Sequence, residues 1–234
     1  MAFKHGRNAA ALFAGVDITT YMTNGELEVT VDEAETSTWS NSWKTFIPGQ
    51  AQLQYSFEGI WDTVANGTFT GMIGDNPAGV LTMGPSGLAL GAPVRMAEII
   101  QTKYTETAPV GGVVGFAFDC LADTVPGFGT IIAASAAVTT DGNVASVDGG
   151  AATTTGAVAH LHVTSVSASD SIVVTIEDSA NNSDWSTIGT FASKAAAGAE
   201  RIVIAGTIRR YVRAVDNVTG AAVSIVRTVA LART

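Results

Sequence analysis

Few side chains in this sequence could bind a metal, and the groups that they form lack a complete set of ligands. His160 and His162 lie at positions i and i+2 of a predicted strand, so both project from one face. Two imidazoles on one face could begin a metal site, but no third ligand lies near them in sequence. We therefore favour an ordinary strand face over a metal site.

A second group of possible ligands lies in a predicted turn between two C-terminal strands. Carboxylate and amide oxygens there could bind calcium, but they lack the Asp-x-Asp-x-Asp-Gly order of a calcium loop. An Asx-type turn is the favoured interpretation. The residues concerned are Asp178, Asn181, Asn182 and Asp184.

No catalytic signature is found in the sequence. It has no phosphate-binding Gly-x-x-x-x-Gly-Lys-Ser/Thr motif, and Gly84-Pro85-Ser86-Gly87 lacks the spacing of a nucleophile elbow. Cys120 is the single cysteine, which excludes an internal disulfide framework, and we expect it to be a small buried hydrophobe. We expect neither enzymatic activity nor a cofactor or bound metal.

A row of carboxylates in the N-terminal part is the strongest candidate for function. From Asn24 to Asp62 the sequence predicts a strand, a long polar loop and a second strand, with apolar and polar residues alternating in both strands. One interpretation of the polar face is a plain solvent-exposed sheet surface. The other is a surface that lines a channel and repels phosphate groups. The acidic residues of this face are Glu26, Glu28, Asp32 and Glu58.

The loop between the two predicted strands is too long for a tight turn. Although the loop is otherwise polar, it contains two tryptophans, which are costly to expose and are enriched at protein interfaces. We therefore predict that the loop contacts another molecule. Its candidate contact residues are Glu33, Glu35, Trp39, Trp43 and Lys44.

Aromatic and basic residues near the C-terminus suggest a structural role. Trp185 is predicted to belong to a core rather than to form a sugar platform. Arg209, Arg210 and Arg213 cluster around Tyr211, and we expect a solvated edge or a subunit interface rather than nucleic-acid recognition.

Composition indicates a protein that covers much of its surface by assembly. Only 14% of residues are charged, where about 25% is usual, and 47% are hydrophobic. The longest apolar runs, such as Ile131–Val138, are too short to span a membrane, so we expect no membrane contact. Residues 1–150 hold 5 Lys/Arg and 15 Asp/Glu, a net charge of −10, which argues against gripping DNA.

The fold class predicted from these patterns is mainly β. Residues 1–135 are expected to form a β-sandwich or barrel with an N-terminal arm and one short helix, for which Pro93–Thr102 is the candidate, although that segment fits a strand equally well. Residues 136–156, rich in small residues, are predicted to be a linker. Residues 157–234 show short strands separated by turn signals, which indicates an antiparallel β-sandwich.

The N-terminal part resembles the tail tube (major tail) proteins of long-tailed bacteriophages. The resemblance lies in Val31–Thr38, then Lys44-Thr45-Phe46-Ile47-Pro48-Gly49, then Leu53–Asp62, with Gly111-Gly112-Val113-Val114 further on. It covers residues 1 to about 135 better than the remainder. The C-terminal pattern is similar to jelly-roll sandwiches appended to phage structural proteins and to carbohydrate-binding modules.

The resemblance implies a structural virion protein located in the phage tail and made in the host cytoplasm. Such a protein polymerises into hexameric or pseudo-hexameric stacked rings, with the acidic row facing the lumen and the Trp39/Trp43 loop contacting the adjacent ring. The partners implied are further copies of the chain, the tape measure, tail terminator and baseplate proteins, and genomic DNA that passes without specific binding. The C-terminal domain would decorate the exterior or form a second half of the tube wall. The alternatives are a capsid decoration protein, a baseplate protein, or a carbohydrate-binding module or adhesin.

Overall fold

The computed structural model describes residues 6–75, 79–220 and 223–234, and within them the fold is mainly antiparallel β, as predicted. The sheets are open, and one α-helix, α1 (Thr63–Thr70), is present in the described residues together with a 3-10 turn, Gly6–Asn8. The strands are β1 (Ala10–Phe13), β2 (Val16–Asp17), β3 (Met22–Glu35), β4 (Phe46–Ile60), β5 (Gly79–Gly84), β6 (Pro93–Thr107), β7 (Gly115–Ala122), β8 (Gly127–Val138), β9 (Gly142–Asn143), β10 (Val147–Asp148), β11 (Ala157–Val166), β12 (Ser171–Ser179), β13 (Ser186–Thr190), β14 (Gly198–Ile204), β15 (Tyr211–Thr219) and β16 (Ile225–Arg233).

The chain forms two compact units. The sandwich unit comprises Met1–Thr20, Gly79–Glu98 and Thr124–Thr234, and the hairpin unit comprises Tyr21–Ala78 and Ile99–Asp123. This division by contacts does not follow the segments 1–135, 136–156 and 157–234, which remain a prediction about domain identity. The short strands β9 and β10 lie within the segment predicted as a linker.

The sandwich unit encloses its main core between two antiparallel sheets. One sheet contains β14, β11, β16 and β8 in that order and continues through the start of β6 to β5, β1 and β2. The other has the order β10–β15–β12–β13, with β9 also beside β15. Alternate residues of β11, β12, β15 and β16 meet in a continuous apolar core, which is the packing expected of a sandwich.

A buried ion pair crosses this core. Arg227 of β16 and Asp216 of β15 are both almost fully buried, and the guanidinium Nε donates to Asp216 Oδ1 at 2.8 Å. Arg227 also donates to the backbone oxygen of Ala134 at 2.9 Å. Two charges taken out of water require such complete pairing, so this contact fixes one strand of each sheet relative to the other.

The two C-terminal histidines lie on a strand face that is buried rather than wet. On the face of β11 away from the main core, His160 Nδ1 lies 3.1 Å and His162 Nε2 2.9 Å from Thr82 Oγ1 of β5. All three side chains are fully buried. No third His, Cys, Asp or Glu lies close enough for a metal cluster among the residues described.

Burial has a direct effect on the protonation of both histidines. It lowers the pKa of His162 to about 3 and, together with the nearby His162 and the positive charge of Arg201, it lowers the pKa of His160 well below the usual value. Both rings are therefore neutral in the folded chain, and the hydroxyl of Thr82 bridges them.

The candidate helix at Pro93–Thr102 is wrong, and its strand alternative is correct. This segment belongs to β6, whose buried residues include Val94, Met96, Ile99 and Gln101. The short helix lies instead at Thr63–Thr70, in a stretch that showed no periodicity. Lys4 and His5 of the predicted arm, the turn at Asn76-Pro77 and the start of the last predicted strand at Ala222 lie outside the described residues.

We predict that the sandwich unit loses stability as the pH falls below about 6.5. The unfolded chain binds protons on its histidines from that pH downward, whereas folded His162 resists protonation until about pH 3, so acidification favours unfolding. For His162 alone the loss between pH 7.5 and 5 is about 2 kcal/mol. Chemical denaturation across this pH range measures it.

A variant with His160→Gln and His162→Gln serves as the control for this prediction. It removes both titrating rings, so the free energy of unfolding should depend less on pH between 7.5 and 5, whatever its absolute value. An unchanged pH dependence in the variant would show that other groups cause the acid sensitivity.

Candidate self-assembly surface

The hairpin of β3 and β4 is the feature on which the candidate site is built. Its strands have 14 and 15 residues, so that each is about 45–50 Å long, whereas 5–6 residues is the usual length. The alternating sequence favours this hairpin because residue pairs in its middle join like with like. Leu27 faces Tyr55 and Val29 faces Leu53, whereas Glu28 faces Gln54.

The apolar face of the hairpin unit is packed at the base of the hairpin. Tyr55 and Phe57 of β4 lie beside Phe118 of β7, with 4.9 Å between the ring centroids of Phe57 and Phe118. Helix α1 covers this group, since the ring of Phe69 lies 4.1 Å from that of Phe118. The helix begins at its N-cap Asp62, whose side chain accepts a hydrogen bond from the backbone N–H of Val64.

The same apolar face continues along the hairpin without cover. Val29 and Val31 are each 51% exposed, although they lie on the same side as buried Leu53 and Tyr55. Phe46 and Ile47 at the far end of β4 are also about half exposed, one on each face of the strand. A long apolar strip of this kind on an isolated chain indicates a surface that another molecule covers.

The opposite face of the same sheet is polar and acidic. Glu26 of β3, Ser56 of β4, Asp119 of β7 and Lys103 of β6 are direct cross-strand neighbours, so they form one row across four strands. Lys103 Nζ lies 3.7 Å from Asp119 Oδ2 and is the basic residue of this row.

The four predicted row residues all lie on exposed parts of the hairpin. Glu28 is directly opposite Gln54, and Glu58 is opposite Asn24, so these carboxylates share the face of Glu26. Asp32 lies where the β3–β4 register shifts, next to Gly49. None of the four forms an ion pair with another described residue.

The loop at the tip of the hairpin contains two tryptophans whose side chains are exposed to solvent. Trp39 is fully exposed and Trp43 is 85% exposed. The loop backbone is nevertheless fixed by its own polar contacts, which include the hydrogen bond from Thr36 N to Thr45 O at 2.8 Å and the ion pair between Lys44 Nζ and Glu35 Oε2 at 2.9 Å. The indoles therefore project from an ordered support. Glu33 and Glu35, which the sequence assigned to the loop, lie in β3 and pair with Pro48 and Phe46, because the hairpin ladder extends further than predicted.

The edges of the hairpin unit's sheet are open. The strand order is β3–β4–β7–β6, and β3 pairs with β4 as its sole partner among the described strands. At the other side, β5 has six residues against the fifteen of β6, so among the strands that the structure describes it leaves most of the second edge of β6 without a partner. Residues Thr102–Thr107 at this edge are largely exposed. Such edges present unpaired N–H and C=O groups and act as templates for another strand.

The contribution of Lys103 and Asp119 was not predicted from the sequence. They lie on strands far from the hairpin in the chain, and only the pairing of β7 with β4 brings them into the acidic row. Alternation within β7 placed Asp119 on the face away from the core, which was the one available signal.

A polar network attaches the base of the hairpin to β6. Trp61 Nε1 donates to Glu106 Oε1 at 3.1 Å, and the hydroxyl of Tyr104 lies 3.2 Å from the same oxygen. Burial and the negative charge of Glu106 raise the pKa of Tyr104 to about 12, so the phenol keeps its proton and can donate. This network lies in the hairpin unit, next to the end of β4.

The C-terminal arginines are paired with carboxylates of their own unit. Arg209 donates to the buried carboxylate of Asp178, and Arg213 contacts Glu177 at 2.7 Å and stacks on Trp185 at 4.1 Å. Arg210 holds the carboxylate of Asp148 at 2.7 Å and lowers its pKa to about 2. Because each charge has a partner, these residues form an ion-paired edge of the sandwich unit.

The Asp178–Asp184 segment forms the predicted turn. Asn181 Oδ1 accepts hydrogen bonds from the backbone N–H groups of Ser183 and Asp184 at 3.0 and 2.9 Å, which is an Asx-type arrangement. Asn182 adopts a positive φ of 61°, a conformation that asparagine tolerates. Asp178 itself accepts bonds from Arg209.

Comparison with known proteins gives similarity only at the level of structure. No protein-family model matches the sequence, and no curated protein matches it either. A chain of the virion of a native gene transfer agent particle is 9% identical, with a TM-score of 0.44, over 54% of this chain and 98% of that one.

Two further structures show similarity at the same low level. A chain of the sheath–tube complex of the PVC extracellular contractile injection system is 11% identical, with a TM-score of 0.40, over 54% of this chain and 92% of that one. The SPP1 Dit protein is 10% identical, with a TM-score of 0.38, over 95% and 98% of the two chains. Scores this low do not assign a function. Among the described residues no helix is long and apolar enough to cross a membrane.

We predict that one aromatic substitution in the hairpin unit strongly lowers stability and that another leaves it almost unchanged. Phe69→Ala should destabilise the isolated chain by about 3–5 kcal/mol, because it leaves a cavity over the rings of Phe116 and Phe118. Trp39→Ser should change stability by no more than about 0.5 kcal/mol, because the indole is fully exposed. Urea denaturation of the two variants at a dilution that keeps the chain monomeric measures both.

Proposed function

We propose that this protein is a structural component of a phage tail that assembles into stacked rings forming a tube for DNA passage. The proposal is based on the exposure of β3. This strand of 14 residues is exposed along almost its whole length, and one of its edges has no partner strand among the described residues. Beyond Gln54, where β4 no longer pairs with β7, the hairpin consists of two strands alone, and an isolated two-stranded hairpin is marginal in water. Assembly with further copies supplies the missing contacts.

The open edges are compatible with ring closure. The sheet of one copy has β3 at one edge and β6 at the other, and successive strands in it are antiparallel. With four strands in the sheet, β3 and β6 run in opposite directions. The β6 edge of one copy can therefore pair antiparallel with the β3 edge of the next, as the heterologous contact of a cyclic ring requires.

The two faces of the sheet then take different positions. Helix α1 covers one face, so the face with the acidic row is the one free to line a lumen. Six copies would contribute roughly 24 strands, and a closed sheet of this size with a tilt of about 40° has a backbone diameter of about 48 Å. After subtraction of about 5 Å of side chain on each side, the lumen is still wide enough for duplex DNA.

The acidic row would prevent DNA from adhering to the wall. Glu26, Glu28, Asp32 and Glu58 present carboxylates, and the affinity of proteins for DNA comes from lysine and arginine contacts to phosphate. Repetition of these carboxylates around a ring would give a negative lumen that repels phosphate groups. DNA would pass without specific binding.

The tip of the hairpin would join one ring to the next. Its loop, with Glu33, Glu35, Trp39, Trp43 and Lys44, is ordered by its own hydrogen bonds and presents two indoles to a partner. Burial of large aromatic side chains is a main source of binding energy at protein interfaces. The exposed strip of Val29 and Val31 lies on the same hairpin and would be covered in the same step.

In this proposal the protein belongs to the virion and its chief partner is itself. Further partners are other tail proteins, namely the tape measure, tail terminator and baseplate proteins, which would meet the lumen and the two ends of the tube. The mechanism is assembly rather than catalysis. The hairpin unit supplies the wall, and the near-neutral charge of the C-terminal part favours an exterior position for it.

Electron microscopy of the purified protein over a range of concentrations tests this function. Hollow tubes or stacked rings are expected. Single or paired rings that do not elongate would instead indicate a baseplate-type ring, and particles that stay monomeric at high concentration, even with tail tips added as initiator, would contradict the proposal.

We predict that the double substitution Trp39→Ser and Trp43→Ser prevents stacking without unfolding the chain. The tryptophans contribute contact between rings and are exposed within one chain, so rings should form but tubes should not. Micrographs and sedimentation measure tube length, and circular dichroism checks that the fold is kept. Tubes of unchanged length would place the axial contact elsewhere.

We predict that the substitution Glu58→Lys, which leaves the carboxylates of the β3 edge unchanged, makes assembled tubes retain DNA. Retention should fall steeply with salt because it would come from phosphate contacts. The control variant, Asp75→Lys, has the same change in net charge at an exposed position outside the row. Equal DNA retention by both variants in a filter-binding assay would show that the row does not line the lumen.

A further inference from the structure

The two open edges of the hairpin unit's sheet carry opposite charges on the same face. The β3 edge presents Glu26 and Glu28, whereas the β6 edge presents Lys103 in the same cross-strand row as Glu26. Lys103 is 64% exposed, and its one ion-pair contact, to Asp119, is long at 3.7 Å. Its ammonium group therefore has free capacity for a second carboxylate.

We propose that Lys103 of one copy forms an ion pair with the acidic face of β3 in the next copy, and so determines the register in which neighbouring chains join. This inference rests on the proposed ring, and it identifies the occupant of the β6 edge as a second copy of this chain. The supporting observation is charge complementarity. One edge carries carboxylates without ion pairs, and the other carries the lysine of the row.

A side-chain contact is needed to fix the strand register between two copies at this edge. A strand pair joined by backbone hydrogen bonds alone can slip by two residues and still keep every side chain on its original face. Across the proposed junction, each slip would change which carboxylate lies beside Lys103. A charged pair on a sheet favours one neighbour over the others, and like charges directly opposite each other are unfavourable.

Cysteine cross-linking tests this contact directly. Lys103→Cys would be combined in one chain with Glu26→Cys, Glu28→Cys or Asp32→Cys in turn. Within one copy β3 and β6 are separated by three strand intervals, about 14 Å, whereas a disulfide needs Cα atoms within about 7 Å. Any disulfide must therefore join two copies. Cys120 is buried and remains in every variant.

The expected result is a ladder of covalent oligomers on a non-reducing gel for one of the three combinations and not for the others. Assembled mixtures of two single-cysteine variants, one at position 103 and one on β3, should give covalent dimers and nothing larger. The control is Lys103→Cys with Val29→Cys, since Val29 lies on the opposite face and should give no ladder.

Charge reversal provides a second, independent measurement. Lys103→Glu should raise the concentration needed for assembly at least tenfold, and the matching reversal on β3, such as Glu28→Lys, should restore it. Asp119→Asn tests whether the assembly defect of Lys103→Glu arises within one chain. If repulsion between Glu at position 103 and Asp119 of the same chain were the cause, Asp119→Asn would restore assembly. Rescue by Asp119→Asn and not by any β3 reversal would overturn the inference.

The outcomes separate this inference from the function on which it rests. A wild-type chain that forms no rings contradicts the proposed function. Rings or tubes that form normally but give no ladder with any of the three combinations leave the function in place and refute the role of Lys103.

Discussion

The main constraint on the hairpin unit is that its sheet has open edges and an apolar face that is only partly covered. β3 has a partner on one edge, exposes its second edge, and carries an apolar face that helix α1 covers only at the base. Unpaired backbone groups and exposed valines are both unfavourable in an isolated chain. In the proposed assembly, strand pairing between copies would satisfy the backbone groups, and contact between rings would cover the valines and the exposed tryptophans.

The sandwich unit is different because its main charged side chains have partners within the unit. Its core lies between two sheets, the buried Arg227 is paired with Asp216, and Arg209, Arg210 and Arg213 have carboxylate partners. Even the two histidines that the sequence offers as metal ligands are joined through Thr82. The hairpin unit, by contrast, leaves two sheet edges and part of an apolar face uncovered in the single chain.

What the sequence predicts well is local alternation. The β3–β4 hairpin, the acidic face and the strands of the C-terminal sandwich follow from a period of two that each segment carries by itself. The strand β6 was ambiguous because Met96, Ile99 and Ile100 have a spacing that also fits one side of a helix. Helix α1 was missed because Gly67 and several threonines weaken its propensity, although Asp62 supplied an N-cap signal.

The rest could not be predicted because it arises from pairing over long distances in the chain. The row of Glu26, Ser56, Asp119 and Lys103 exists only through the registers of three strand pairs. Burial of His160 and His162 likewise depends on the packing of β5 against β11, which no local pattern encodes. A period of two gives the face of a residue, but not its neighbours on the adjacent strand.

The number of strands in the hairpin unit has a consequence for the size of any closed assembly. In a cyclic ring all copies point the same way along the axis, so a sheet with an odd number of alternating strands would give a parallel junction whatever the number of copies. Because this sheet has four strands, every copy number gives the same antiparallel junction. Hydrogen bonding between copies therefore does not determine the number of copies in the ring. The twist and coil of the sheet must determine it. Substitutions that alter sheet curvature, rather than edge chemistry, are the ones that could change how many chains encircle the axis.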